Sequence, residues 1–259
     1  MILIKLGGSV ITDKTQYRTF EKERVARLCD EIKRSGADTI VVHGAGSFGH
    51  VLAKEYELDK GLQDFGQVPA VAKVQYDVRE LNSMIINELL LAGIPAFSVP
   101  PGSCFVMNKG KLITGESEVL KAAPHIGIMP VMFGDVVFDR ATGFGICSGD
   151  QIMEVLCEMY NPKKIVFVSD IDGLFDKDPK YNEDAKLIPS VTSEILKGVN
   201  SEGRADDVTG GVRAKMEAML RISTKDRECV LINGTVPGRL YSTLKGEKVI
   251  STTAVGGLK

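Results

Sequence analysis

Apolar residues in this chain follow two rhythms. Short continuous runs stand at 2–6, 39–43, 129–133, 164–169 and 229–232, each ending in glycine or polar residues, with a weaker run at 95–99. Runs of that length, bounded by turn residues, predict buried strands. Between them, apolar positions recur at three- and four-residue steps. Val25, Leu28, Cys29 and Ile32 share a face within 20–35, as do Val71, Val74, Val78, Leu81, Ile85 and Leu89 within 68–92. That spacing predicts amphipathic helices, and Gly93 with Pro95 beyond it stops the second one. Segments 149–160 and 210–225 also read as helices. Such alternation predicts a mostly parallel sheet covered by helices on both faces.

Two hairpins interrupt the alternation, turning at Asn108-Lys109-Gly110-Lys111 and at Asp139-Arg140-Ala141-Thr142-Gly143. They are either surface decoration or a lid beside a binding loop. Asn161-Pro162 marks a seam between two lobes, 1–160 and 161–259, of a single domain. The 259 residues suffice for a sizeable core, and the charged fraction of 25% with net charge −2 is ordinary. No basic stripe points to nucleic acid or a membrane surface. No apolar run approaches the length of a membrane span. Five cysteines without a C-x-x-C pair predict reduced thiols in a cytoplasmic protein. Ile2–Leu6 follows the first residue directly, so no signal peptide is expected.

The richest segment is His43-Gly44-Ala45-Gly46-Ser47-Phe48-Gly49-His50, directly after a predicted strand. Its G-x-G-x-x-G spacing suggests a dinucleotide turn, which requires a second strand ending in an acidic residue about 20 positions on. Asp64 has the spacing, but Glu57–Gln63 is not strand-like, and a long helix follows. The dinucleotide reading therefore fails. Asp170-Ile171-Asp172-Gly173 resembles the start of a calcium loop, but later ligands are missing. It also resembles an aspartyl phosphatase nucleophile, which belongs at a first strand. There is no P-loop motif.

Four other segments sit at strand ends or helix starts. Lys5-Leu6-Gly7-Gly8-Ser9, with Lys14 nearby, puts a lysine inside an apolar strand, where an anion would justify its burial. The alternative is an edge lysine facing water. Ser148-Gly149-Asp150 opens a helix and could be a plain N-cap. Ser169-Asp170-Ile171-Asp172-Gly173-Leu174-Phe175-Asp176-Lys177-Asp178-Pro179 carries a strand into a polar turn. Asp207-Val208-Thr209-Gly210-Gly211 opens a helix that bears Lys215 one turn on. Glycine-rich anion sites and lysines, with neither a nucleophile–base pair nor a metal-ligand cluster, suit phosphoryl transfer by positioning and charge stabilisation.

These segments, in this order, resemble the amino-acid kinase superfamily over almost the whole chain. Ile11-Thr12-Asp13-Lys14 and the loop ending in His50 are most similar to the isopentenyl phosphate kinases within it. Fosfomycin kinases look alike in that loop.

The resemblance implies an open three-layer αβα sandwich with a mostly parallel central sheet, a homodimer, and ATP with Mg2+ as phosphoryl donor. The acceptor would be isopentenyl phosphate, bound by lobe 1–160, with ATP on lobe 161–259. It further implies that Lys5 and Lys215 neutralise the transferring phosphoryl and leaving group, with Gly8, Ser9 and Gly46 around it. Lys14 would stabilise the transition state and Asp150 orient the lysines. His50 would hold the acceptor phosphate with Ala45, Gly46, Gly49 and Gly145. Asp170, Gly173, Phe175, Lys177 and Gly211 would line the nucleotide side. A phosphate monoester is largely dianionic at neutral pH, so no general base is required. An apolar slot for the isopentenyl tail could come from the helix at 68–92, on the side of Tyr76, Ser83 and Ile86. Ile86 could equally pack in the core or at a dimer interface. Rival readings are the same fold acting on fosfomycin, a carboxylate, carbamate or a nucleotide monophosphate, or a non-catalytic nucleotide-binding sensor or storage protein.

Overall fold

The structure, a computed structural model, describes residues 1–113, 117–179, 181–199 and 208–256. Asp207 of the helix-opening segment lies outside them. In chain order, β1 (Ile2–Leu6) runs into a short α1 (Gly8–Ile11), followed by α2 (Lys22–Ser35), β2 (Thr39–His43), α3 (Gly46–Glu55) and the long α4 (Val68–Leu91). Next come β3 (Ala96–Ser98), α5 (Pro101–Cys104), the hairpin β4 (Val106–Asn108) and β5 (Lys111–Ile113), α6 (Glu118–His125) and β6 (Met129–Phe133). A second hairpin, β7 (Asp135–Asp139) and β8 (Gly143–Cys147), precedes α7 (Gly149–Tyr160) and β9 (Lys164–Ser169). The remainder comprises β10 (Leu174–Phe175), β11 (Leu187–Ile188), β12 (Ser190–Val191), α8 (Ser193–Gly198), α9 (Val208–Ile222), β13 (Glu228–Asn233), α10 (Arg239–Leu244) and β14 (Ser251–Ala254).

The main sheet has the order β12-β14-β13-β9-β1-β2-β6-β3, and every pairing is parallel except β13 with β14. It is continuous across the seam at Asn161-Pro162, because β9 pairs with β1 through Ile2↔Lys164 to Leu6↔Val168. Glu57–Asp64 contributes no strand, only a 3-10 turn at Leu58–Lys60. The chain runs outward from β1 to β2 and on to the edge strand β3, fills the gap between them with β6, then returns to place β9 and β13 on the other side of β1. The order therefore reverses beside β1, the place where open α/β sheets leave a crevice outside the carboxyl ends of their strands.

Alternation along the strands separates two core faces. Leu3, Ile40, Val42, Ile165, Phe167 and Leu231 pack under α7 and α9, against Ile152, Met153, Leu156, Met216 and Met219. Ile4, Leu6, Val41, Val166, Val168 and Val230 pack under α2, α4 and α10, against Leu28, Ile32, Leu81, Ile85 and Leu240. This is a three-layer αβα arrangement. A smaller sheet, β5-β4-β7-β8, holds both predicted hairpins. The Asp139 carboxylate joins their turns by accepting from the backbone N–H of Lys109 (3.1 Å), Gly110 (2.7 Å), Ala141 (2.8 Å) and Thr142 (3.1 Å). A third apolar cluster lies between α4 and this sheet, built on Val74, Val78, Phe133, Val136 and Phe144. Among the described residues, no helix is long and apolar enough to cross a membrane, and all five cysteines are free thiols.

Candidate active site

Lys5 occupies a core position of β1, opposite Val42 and Phe167, and only 7% of it is exposed. An unpaired ammonium there would carry a large desolvation cost. It pairs instead with Asp150, and its Nζ lies 5.5 Å from the Phe167 ring centre. Asp150 is placed by the start of α7. Ser148 Oγ accepts from Gln151 N at 3.2 Å while Gln151 Oε1 accepts from Ser148 N at 3.0 Å, a reciprocal cap that fixes the first turn. A carboxylate at that helix end is also favoured by the helix dipole. Gly149 sits in a tight spot, since a Cβ there would lie 3.1 Å from Lys5 Cε and 3.4 Å from the His43 carbonyl and would press on the Lys5 side chain.

Lys215 reaches the same point from α9 and donates to Ser169 Oγ at 2.7 Å. Burial, with the nearby charges of Lys5 and Lys14 added, pushes its ammonium down to about 8, against the opposing pull of Asp150 and Asp170. Asp170 accepts from Ser9 Oγ at 2.6 Å. Burial alone would raise its carboxyl, but Ser9, Lys14 and Lys215 outweigh burial and hold it below the usual range. Lys14 is exposed at the tip of a loop, yet close enough to influence both groups. Lys5, Lys14, Lys215, Asp150, Asp170, Ser9 and Ser169 thus converge at the crevice beside β1.

Backbone lines the crevice's floor. A Cβ on Gly8 would lie 2.7 Å from Gly46 Cα, one on Gly44 would lie 2.8 Å from Gly8 N, and Gly46 has φ +51°. The two glycine turns therefore touch backbone to backbone, which no other residue type permits at these positions. Thr12 Oγ1 stitches them together, donating to Gly8 O at 2.7 Å and accepting from Ser47 N at 3.0 Å. Below the second turn, His43 is fully buried and stacks on Phe133 with centres 5.3 Å apart. Burial pushes its imidazole down to about 4. Nδ1 donates to Gly44 O at 2.9 Å and Nε2 accepts from Asn82 Nδ2 at 3.0 Å, so a neutral ring braces the loop. Neither Thr12 nor His43 carried an assigned role from the sequence. The only hint was that each lies within or beside a glycine-turn segment.

The other expected site residues are more scattered. His50 is exposed on the second turn of α3. Ala45 caps that helix with its side chain in the third apolar cluster, and Gly49 is buried against α4, where a Cβ would lie 3.1 Å from Val78 Cγ1. Gly145 lies mid-strand in β8, with the Met107 sulfur 3.4 Å from where its Cβ would be. Gly173 has φ +155°, and the backbone after it is tied down by Leu174 N donating to Thr252 Oγ1 at 2.8 Å. Phe175 pairs with Leu187, Lys177 forms a surface pair with Asp184 at 2.5 Å, and Gly211 faces open space at the start of α9. Tyr76 and Ser83 are exposed on α4, whereas Ile86 packs against the core face shared with α2, so these three do not line one enclosed slot. A cavity of about 400 Å³ lies at the opposite, amino-terminal ends of β2, β3 and β6, beside Thr39, Pro95 and Met129, away from all of this chemistry.

Three cations against two engaged carboxylates suit a polyphosphate. Among the described residues no group of three or more His, Cys, Asp or Glu side chains could hold a metal.

A sequence profile described as the amino acid kinase family matches residues 1–233. The chain belongs to the amino acid kinase family. Within the amino acid kinase family it is 33% identical to an isopentenyl phosphate kinase from Methanothermobacter thermautotrophicus, over 99% of each chain. It is also 33% identical to one from Thermoplasma acidophilum, over 93% of this chain and 94% of that one. X-ray structures of an isopentenyl phosphate kinase superpose with a TM-score of 0.85 at 30% identity, covering 98% of this chain and 99% of that one. An aspartate kinase from Synechocystis shares the fold, with a TM-score of 0.66 at 17% identity, covering 99% of this chain and 40% of that one.

Proposed function

We propose that this protein transfers the γ-phosphoryl group of ATP to isopentenyl phosphate, giving isopentenyl diphosphate and ADP. The observation that carries the reading is the convergence of Lys5, Lys215 and the nearby Lys14 above two touching glycine turns. Full-length similarity to isopentenyl phosphate kinases, one solved as a substrate complex with a TM-score of 0.79, supports the choice of acceptor.

In this reading an oxygen of the acceptor phosphate forms the new P–O bond as the β–γ bridging bond breaks. Lys5 and Lys215 neutralise the phosphoryl in flight and the charge growing on the leaving oxygen. Asp150 holds Lys5 on axis, and Ser169 does the same for Lys215. Gly8, Ser9 and Gly46 present backbone N–H groups from the turns, and Lys14 adds charge from above. His50, with backbone from Ala45 to Gly49 and Gly145, holds the acceptor phosphate. Asp170, Gly173, Phe175, Lys177 and Gly211 receive the nucleotide. Magnesium, when bound with ATP, neutralises phosphate oxygens. The acceptor is already dianionic, so no base is needed to activate it.

Lobe 1–160 takes the acceptor and lobe 161–259 the nucleotide. The homodimer follows from the family resemblance, and exposed Leu90, Leu91 and Ile126 offer apolar surface for it. Five free thiols suit a reducing cytoplasm. The test is a coupled ADP-release assay across isopentenyl phosphate, fosfomycin, carboxylates, carbamate and nucleotide monophosphates. Turnover with isopentenyl phosphate at least about a hundredfold above the others is expected, and equal or better turnover with another acceptor refutes the assignment.

A further inference from the structure

Asp77 sits midway along α4 with its side chain entirely excluded from solvent. An aspartate there costs stability unless donors meet both oxygens, and an apolar residue would pack at lower cost. Its partners come chiefly from the loop that carries Lys14. Tyr17 OH donates to Oδ2 at 2.5 Å, and Arg18 Nε approaches Oδ1 at 3.4 Å. Lys73, one turn earlier on α4, completes the set by pairing with Oδ1. Arg18 also pairs with Glu80 and lies over the Phe48 ring at 5.7 Å.

The loop is built as a strap. Its ends are pinned by Asp13 N to Thr19 O at 3.0 Å and by the Thr12↔Phe20 bridge. Thr19 N donates to Ser47 Oγ at 3.3 Å, which fastens the same end to α3. Between the pinned ends, residues Lys14–Tyr17 are exposed. Arg18 holds φ +57°, a conformation that an L-residue adopts at a cost and keeps only when its surroundings enforce it. The strained residue and its neighbour are the two that meet Asp77.

We propose that Asp77 is a positioning residue that fastens the Lys14 loop to α4 and so fixes where the Lys14 ammonium stands over the reacting phosphates. The inference rests on Lys14 acting in phosphoryl transfer. Asp77 itself touches no substrate. It acts through Tyr17 and Arg18, and its loss frees the loop tip while leaving the nucleotide side intact.

The test uses the full chain in four forms: unaltered, Asp77→Asn, Lys14→Ala and the double variant, assayed with ATP and isopentenyl phosphate. Asp77→Asn lowers kcat roughly ten- to a hundredfold with KM for ATP within about twofold, as loose positioning does. In the Lys14→Ala background it costs nothing further. An unchanged kcat in Asp77→Asn, or the same factor lost in both backgrounds, overturns the proposal while leaving the Lys14 role standing. Full turnover in Lys14→Ala overturns both. Limited trypsin cleavage after Arg18 reads the loop without any acceptor, and Asp77→Asn is cut at least about tenfold faster than the unaltered chain. Equal cleavage rates overturn the proposal. Should Asp77→Asn fail to fold, Tyr17→Phe with Arg18→Gln removes the loop-side hydrogen bond and ion pair and leaves α4 unaltered. The same kcat-only loss is expected there, and an unchanged kcat overturns the proposal.

Discussion

On the proposed function, Lys215 is the residue whose charge state most directly couples pH to nucleotide binding. Its ammonium is pushed from 10.5 down to about 8 by burial beside Lys5 and Lys14. In the free protein about one Lys215 in ten is therefore neutral at pH 7, half at pH 8 and about nine in ten at pH 9. On that reading a bound polyphosphate would supply the missing counter-charge and return the group toward its ordinary value. The full gap corresponds to about 3 kcal/mol, so binding and protonation reinforce one another. Above pH 8 each further pH unit should weaken nucleotide binding by about tenfold, until the bound-state value is reached.

The assay is calorimetric titration of ADP with magnesium at pH 8, in two buffers of different ionisation enthalpy. Uptake of about half a proton per site is expected. Lys215→Arg keeps a permanent charge and should abolish that uptake even if turnover suffers, since guanidinium does not titrate here. No proton uptake in the unaltered chain, or the same uptake in Lys215→Arg, refutes the reasoning. The kinetic counterpart is an alkaline fall in kcat/KM for ATP near pH 8, with kcat itself level to higher pH.

His50→Ala should raise KM for isopentenyl phosphate by at least about tenfold while leaving ADP affinity unchanged, as steady-state kinetics and calorimetry can show. Lys5→Ala should lower kcat by about a hundredfold or more, because a fixed counter-charge is lost where charge develops, and near-normal turnover would exclude that role. Gly46→Ala forces a Cβ to within 2.3 Å of Thr12 Oγ1 at φ +51°. It should cost roughly 1–3 kcal/mol in denaturant unfolding and abolish turnover. The Asp139 carboxyl is held down to about 2, chiefly by the Gly110 N–H, against burial that opposes it. Its contribution is present above the unfolded value near 3.8 and is lost as pH falls toward 2. Asp139→Asn should therefore lower Tm at pH 7 and flatten the acid limb across that window.

The strands 2–6, 39–43, 129–133 and 164–169 were legible with their ends, because a buried parallel strand must be apolar throughout and stop at a turn. Helix 68–92 was legible because its periodicity runs unbroken from Val71 to Leu89 and meets Gly93. The seven-residue convergence could be anticipated only in its parts. Lysines and glycine pairs at strand ends are visible locally, and the order reversal beside β1 makes them neighbours.

Other features depended on contacts between distant segments. Gly49 belongs to the glycine loop by spacing but is buried against Val78, because α4 crosses α3 there. Strands of two residues, such as β10 and β12, carry too few positions for a period and exist only through their partners. Tyr17 and Asp77 are 60 positions apart, and Ser169 and Lys215 are 46 apart. The sequence by itself determined which segments are buried and which turns can approach an anion, since both follow from local composition and backbone freedom. Tertiary structure alone decided which polar groups meet, which lysine is pushed down to about 8 and which carboxylate anchors a loop. Those outcomes depend on desolvation and on partners that packing supplies from elsewhere in the chain.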